Sequence, residues 1–511
     1  MIVNIVWLKR DLRLRDHQPV HEAVKYGETL FIYVAEPSIW GSGELSVRHF
    51  HFVLESLASL KKRIEERGGK LLLFKFEMEQ VLQSLLETYG PFKLFSHEEN
   101  GTSDTMVRDE RVRRWMKEKN LEMIEFQHFG ITRGKSSPKH FQKQWDEFMS
   151  SPYLPQPKKI MSPDRVPEDA ILTIDELKSF EENLPGTPIK YGQVGGEEEA
   201  IDTLKSFFTN RYQNYLTHLS KPLQSTISSS RLSPYLAWGN LSIKTVVQQT
   251  RKALLEPMSE EEKQQLLAFK SRLYWHCQIV WHLEDHPAIH EQAFNKSFDD
   301  IQQKRDEEQI NLWYHAQTGI PMVDAAMRAL HQTGWINFDL RAMLVSFICN
   351  TLQQNWREPA KLLAQLFLDY EPGIHWRQVQ MQTGASGKKA IRNYNPVKMG
   401  KEHDPNGEFV KRFVPELKNI PKKAIHEPWL DPGFFGLKYF SPIVDIKKAN
   451  IEAAALLASI RVNTGKKESV PYQPEKDHSP EEEKNRSPKA SKKNKKESHS
   501  EQLTLLLFED E

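Results

Sequence analysis

Cysteine is scarce. Cys277 and Cys349 are the two in 511 residues, too few for a disulfide scaffold. They are also too few for a site that needs four thiolates, such as an ordinary iron–sulfur cluster or a cysteine-rich zinc module. An excess of either charge is lacking as well: 70 Lys+Arg stand against 69 Asp+Glu, a net of +1. A basic coat over the whole molecule is therefore excluded, although a local patch is not. No stretch approaches the roughly 20 apolar residues that span a bilayer. The amino terminus, MIVNIVWLKRDLRLRD, passes from a short apolar run straight into charges, without the long apolar region of an export signal. A reduced, cytoplasmic protein with no membrane segment is expected. What the chain does have is bulk: 39% of its residues are hydrophobic, enough over this length for two or more cores.

Two periodicities alternate in the first 130 residues. Short apolar runs recur at Ile2–Leu8, Leu30–Ala35, Leu71–Phe76, Phe92–Ser96 and Leu121–Phe126. Helical patterns separate them; in Val47–Arg67, Phe50, Val53, Leu54, Leu57, Leu60 and Ile64 form one stripe, stopped by Gly68-Gly69. Continuously apolar strands between amphipathic helices predict a doubly wound parallel α/β domain over 1–130. From 131 to 196 the chain reads as a surface connector, broken from residue 152 onward by Pro152, Pro155, Pro157, Pro163, Pro167, Pro185 and Pro188. Beyond Glu197 the strand signal vanishes. Phe269, Leu273, Cys277 and Val280 repeat at helical spacing, as do Leu340, Leu344, Phe347 and Thr351. Pro321–Leu330 opens on Pro and is closed by Gly334. A large all-α domain is expected over 197–461. The remainder, 462–511, is rich in Lys, Ser, Glu and Asn and buries too little apolar surface to offset its ordering entropy, which predicts a disordered tail.

Three helical-domain segments could carry chemistry. In Ser228–Ser242, SSSRLSPYLAWGNLS, hydroxyls and a guanidinium precede a Pro-initiated helix, a set that suits a phosphate or a serine-rich cap. His282, His286 and His290 stand at i, i+4 and i+8, the spacing of metal ligands on one helix face. Pro287 interrupts that face, so solvated histidines and no metal are expected. Between Gln332 and Trp376 the chain gathers Trp335, Trp356 and Trp376 with Arg341, Asp369 and Glu371. Charges inside an aromatic region need partners.

The opening IVWLKRDLRLRD, followed by SSSRLSPYLAWG, TGIPMVDAAMRAL, TGW, NYNPV, DPNGEFVKRFVPEL and HEPW, resembles the DNA photolyase/cryptochrome family over about residues 2–445. The resemblance implies an α/β antenna domain and a helical domain holding FAD in a U-shaped conformation. It implies a light-driven carbon–carbon lyase, in which a reduced, excited flavin passes an electron to a pyrimidine dimer flipped out of damaged DNA. By the same resemblance Ser229, Ser230, Arg231, Leu232 and Ser233 cradle the FAD diphosphate, with Tyr215 as a phosphate-contacting residue upstream. Arg341 and Asp369 become the ion pair beside the isoalloxazine, Glu371 a second acidic position, and His276 a further flavin-binding residue. An antenna chromophore, folate or deazaflavin, would use the crevice after the fourth strand, near His97–Gly101 and Arg108–Arg111, unless that crevice is empty.

Departures from the family pattern leave a second reading, a cryptochrome-like blue-light receptor with little or no repair, and a third, a flavin- or DNA-binding protein without photochemistry. The Trp-Arg-Glu-Phe element is Trp275-His276-Cys277-Gln278 here. Trp275 keeps the lesion-stacking aromatic, but Arg272 replaces the dimer-contacting Glu; both are expected at the DNA. Of the tryptophan relay, Trp356 fits the middle position and Trp376 the one nearest the flavin, while the distal position is Gln303; Trp313 or Trp281 could offer another route. In the tail, Gln502, Leu505, Leu507 and Phe508 resemble the bacterial sliding-clamp-binding peptide, a short apolar segment on a flexible tether. The alternative is a terminus that folds back on the body. A monomer is expected.

Overall fold

Five apolar segments form the strands β1 (Val3–Leu8), β2 (Thr29–Val34), β3 (Lys70–Phe74), β4 (Phe92–His97) and β5 (Glu122–Phe126) of one parallel sheet, ordered β3-β2-β1-β4-β5. The computed structural model describes residues 2–131, 133, 138–296, 305–385 and 394–463. At the sheet centre Val6 lies opposite Phe31 on one side and Phe95 on the other. Burial on both faces is why the central strands carry no polar alternation. Val3, Ile5 and Trp7 point into a core shared with the Met78–Tyr89 and Ser103–Glu118 helices. The chain reverses its winding between β1 and β4, so the carboxyl ends of these strands flank a crevice.

The segment 131–196 is more ordered than its composition suggests. It contains a helix, Pro138–Ser150, whose Phe141, Trp145 and Met149 are buried at helical spacing. Phe141 stacks on Trp281 of the helical half, ring centroids 5.2 Å apart. Further on, Ile171 exchanges backbone hydrogen bonds with Leu73 and so extends the free edge of β3.

From Glu197 onward the described elements are helices. The longest, Glu260–Asp285, begins with a Ser259/Glu262 capping box and ends before Pro287. Pro321–Thr333 starts on its proline and stops at Gly334, whose φ of 69° is the left-handed conformation of a C-terminal cap. Trp313, Leu330, Ile348, Trp356 and Trp376 belong to one buried core.

The two halves meet backbone to backbone. Gly239 has φ +67°, and a Cβ there would lie 2.1 Å from the Arg10 carbonyl oxygen. Leu12 N–H donates to Trp238 O (3.3 Å), Arg13 Nη1 to Gly239 O (3.0 Å) and Asn240 Nδ2 to Leu12 O (3.2 Å). Arg10 adds a guanidinium 4.5 Å above the Trp238 ring and donates to the carbonyls of Ala237 and Tyr370. The opening motif and the serine motif are thus in direct contact across some 230 residues of sequence. No described helix is long and apolar enough to cross a membrane.

Candidate functional site

The serine segment is built by turning its carbonyls away. Arg211 donates to the carbonyl oxygens of Thr203, Ile227, Ser229 and Ser230, and Gln193 Nε2 donates to Arg231 O at 2.8 Å. Partial negative charge is thereby tied back, leaving hydroxyls and a cation for an incoming anion. Arg231 sits at φ 59°, an uncommon conformation for a residue with a side chain, of the kind that clusters at ligand clamps. Its guanidinium lies 4.0 Å over the Trp335 ring and makes no ion pair with a described carboxylate. Burial pushes its pKa down to about 10. A half-buried cation without an acid of its own, beside Ser229 and Ser230, is a donor set suited to a diphosphate. Leu232 is buried, and Ser233 hydrogen-bonds the Asp369 carboxylate.

The ion pair read from the sequence is formed. Arg341 Nη1 and Nη2 reach Asp369 Oδ1 and Oδ2 at 3.0 and 2.8 Å, a bidentate fork. Burial alone would raise the Asp369 pKa; Arg341, Ser233 and Arg231 together hold it below the ordinary value. Arg341 is also fixed by Ile336 O (2.9 Å) and stacks over Phe367. His276 comes close enough to feel the Asp369 charge; burial nevertheless lowers its pKa to about 4, and its Nε2 has no hydrogen-bond partner. Glu371 is buried, its Oε1 unpartnered, and burial raises its pKa to about 7. Arg10 and Glu99 are its charged neighbours, which places it toward the junction of the halves. Tyr215 is buried against Phe207 and Phe269, with Arg272 as its nearest influential charge.

On the Glu260–Asp285 helix, consecutive residues divide the work. Trp275 is partly exposed, and the exposed Arg272 lies 4.6 Å over its ring one turn earlier. Behind them Cys277 is buried. Trp356 and Trp376, 20 residues apart in sequence, meet edge to face with ring centroids 6.0 Å apart. Trp376 Nε1 donates to the Tyr370 hydroxyl (3.0 Å), which donates to Glu44 Oε2 (2.6 Å). Trp313 and Trp281 are buried. Gln303, Gln502, Leu505, Leu507 and Phe508 lie outside the described residues.

The histidines at 282, 286 and 290 do not converge. His286 packs on Phe294 and His290 faces Trp376. A different group does: among the described residues, Asp11, His17 and His97 bring their ligand atoms within 4.8 Å of one another. Asp11 Oδ2 lies 3.0 Å from His17 Nε2 and 2.7 Å from His97 Nδ1. Val20 N–H points at His17 Nδ1 (3.3 Å), which leaves the ring proton on Nε2, toward Asp11. The arrangement is a buried His–carboxylate–His group in which Asp11 is hydrogen-bonded to His97 and in close contact with His17. It adjoins the crevice at the carboxyl ends of the strands, a pocket of about 680 Å³ including its open mouth. Trp7, Lys9, Glu36, Glu99, Arg108 and Tyr370 line it, Arg108 bonding Glu36, Glu99 and Asp109 at once.

Arg211, Gln193, Tyr370 and Glu44 were not among the residues singled out in the sequence. Tyr370 stands between Asp369 and Glu371, a signal in plain view; carbonyl capping by Arg211 has none.

Comparisons with known proteins bear on the family and the fold. Residues 4–147 match the family model described as DNA photolyase, and residues 269–459 match the FAD binding domain of DNA photolyase. The serine segment lies between the two matches. The deoxyribodipyrimidine photo-lyase of Agrobacterium fabrum is 28% identical over 490 residues, covering 90% of this chain and 98% of the relative. Cryptochrome DASH of Synechocystis is 25% identical, over 83% of this chain and 90% of its own. The crystal structure of a class III photolyase from Agrobacterium tumefaciens superimposes with a TM-score of 0.78 at 26% identity, covering 90% of this chain and 98% of that one. An N-terminal parallel sheet, a helical half with an Arg341–Asp369 pair, and both family models on one chain lead to one assignment: this protein belongs to the DNA photolyase/cryptochrome family.

Proposed function

We propose that the chain is a FAD-dependent photolyase that uses blue or near-ultraviolet light to split pyrimidine dimers in damaged DNA. The observation that carries this reading is the division of labour on the Glu260–Asp285 helix. His276 is turned in toward Asp369, while its neighbour Trp275, under Arg272, stays accessible. One helix therefore joins the flavin-side acid to an aromatic platform at the surface. When bound, FAD supplies the light absorption and the one-electron chemistry.

The chain's own residues do the rest. Arg231, Ser229 and Ser230 hold the diphosphate, with Leu232 packed beneath. Ser233 and Arg341 keep Asp369 ionised and oriented. Tyr215 belongs to the packing that supports this wall, and Glu371, its pKa raised to about 7, closes the far side as a carboxyl poised between its neutral and charged forms near pH 7. Trp275 offers its ring face to an extruded base, and Arg272 offers a cation to the DNA backbone. Trp376 and Trp356 carry electrons through the protein. The strand-end pocket suits an antenna chromophore, a folate or a deazaflavin. The structure of an archaeal photolyase from Sulfolobus tokodaii with two FAD molecules shares the fold, with a TM-score of 0.73 at 23% identity. The terminal peptide with Gln502, Leu505, Leu507 and Phe508 would dock on a sliding clamp; clamp binding that survives deletion of residues 500–511 removes that partner.

A cryptochrome-like photoreceptor is the second reading, and Arg272 at the position of the dimer-contacting acid favours it. Light-dependent repair of a dimer-containing oligonucleotide, by the wild type and by Trp275→Ala, separates the two. Repair that the substitution abolishes supports the photolyase. Flavin photobleaching without any repair overturns it and leaves the receptor.

A further inference from the structure

The tryptophan pair has an unexpected neighbour. Trp376 is fully buried, and its one polar atom donates to the Tyr370 hydroxyl at 3.0 Å. Tyr370, itself buried, passes its own proton toward Glu44 Oε2 at 2.6 Å. Glu44 and Tyr370 both line the strand-end pocket that opens to solvent. The hydrogen bonds thus run in one direction, from indole to phenol to carboxylate to a cavity, and they cross from the helical half into the α/β half. Trp356 offers no comparable path: its Nε1 has no hydrogen-bond partner, and Arg357 lies 4.6 Å over its ring, where a positive charge opposes a radical cation.

We propose that Tyr370 is the terminal electron donor of the relay and Glu44 the base that takes its proton. This rests on the photochemical reading above. Were Trp376 to lose an electron to bound, light-excited flavin, an electron from Tyr370 would restore it. The Tyr370 O–H bond breaks in the same event, an O–H bond forms on Glu44 Oε2, and a neutral phenoxyl radical remains. A dissolved thiol reaching the pocket gives Tyr370 a hydrogen atom and leaves as a thiyl radical, and Glu44 releases its proton to water.

The surroundings suit those roles. Burial raises the phenol pKa of Tyr370 well above its ordinary value, so the proton departs only together with the electron. Burial also raises the pKa of Glu44, which makes its carboxylate a better proton acceptor than an exposed one. Trapping the hole as a neutral radical blocks its return, because recombination then requires the proton to come back.

The test is radical identification in the illuminated FAD-bound protein by electron paramagnetic resonance, with ring-deuterated tyrosine as the label. A signal narrowed by the label, absent in Tyr370→Phe, is expected. In Glu44→Gln, which keeps the shape and loses the base, the radical lifetime should fall by about a hundredfold, the scale of a positioned proton acceptor. Light-induced infrared difference spectra should show a protonated-carboxyl band that Glu44→Gln removes. Thermal unfolding and the flavin spectrum of each variant establish that it is folded. If the wild type photoreduces FAD with tryptophan radicals alone, or with a tyrosyl signal that persists in Tyr370→Phe, the assignment fails and the photochemical reading stands. If the wild type binds FAD but never bleaches under blue light, both fail together.

Discussion

Replacing Arg231 by Met should move two measurements in opposite directions. The guanidinium is half-buried without an acid, and its pKa falls from 12.5 to about 10. At about 1.4 kcal/mol for each pH unit, that corresponds to roughly 3 kcal/mol of unfavourable desolvation. Stacking on Trp335 returns about 1 kcal/mol, and partial exposure reduces the penalty further. A thioether of similar length still covers Trp335 and faces the same φ of 59° that the arginine does. The apoprotein should therefore be unchanged or more stable by about 1–2 kcal/mol in denaturant unfolding. FAD affinity should drop, since a charge-assisted hydrogen bond to phosphate is worth about 1.5–3 kcal/mol, roughly ten- to a hundredfold in Kd. Flavin fluorescence titration of the apoprotein measures the second quantity. An apoprotein destabilised by more than about 1 kcal/mol would show that Arg231 is structural. Unchanged FAD affinity would show that the cation does not serve the diphosphate.

Asp369→Asn should behave differently, destabilising the apoprotein by about 2–3 kcal/mol, because it leaves Arg341 without its bidentate carboxylate; a double-mutant cycle with Arg341→Gln reads the coupling. Acid should weaken the fold. Burial holds His49 at a pKa of about 3 and His276 and His375 at about 4, so below about pH 6.5 the unfolded chain takes up protons that the folded chain refuses. Stability then rises with pH between about 4 and 6.5. Glu371, raised to about 7, acts in the opposite sense, keeping a proton that the unfolded chain releases above about pH 4.5. The histidines and Glu371 thus pull in opposite directions near pH 5.5, and Glu371→Gln should steepen the rise of stability with pH. Urea unfolding across that range checks both statements. Trp356→Phe tests the branch at Trp376: slower flavin photoreduction would show that Trp356 also feeds Trp376, and an unaltered bleaching rate would remove Trp356 from the relay and leave Tyr370 as the donor.

Strands and helices were legible because burial on two faces writes itself as unbroken apolar runs, as in Val3–Leu8, and burial on one face as a stripe, as in Phe50 to Ile64. Charges in an aromatic region announced that Arg341 needed an acidic partner, and the family resemblance, not the residues alone, chose Asp369 over Glu371. Orientation was not legible. Nothing in Arg211 announces that it will collect four carbonyls, and nothing in a lone Gln193 announces a fifth. Neither were contacts that depend on strand order: Asp11 and His97 meet because β4 is placed beside β1. The Pro138–Ser150 helix was hidden by its position in a segment whose later prolines set the expectation for the whole.

Gly239 carries a consequence for any signal the protein sends. Shear needs a layer of side chains that can slide or re-pack, and where Gly239 touches Arg10 and Asp11 there is no such layer, only main chain against main chain. A change in the helical half is therefore not passed on by sliding one half along the other at this point. Information leaving the flavin must travel as local change, in protonation, in rotamers or in the grip on a bound partner. A large methyl-bearing residue at 239 would thus damage assembly of the whole molecule long before it altered any photochemistry.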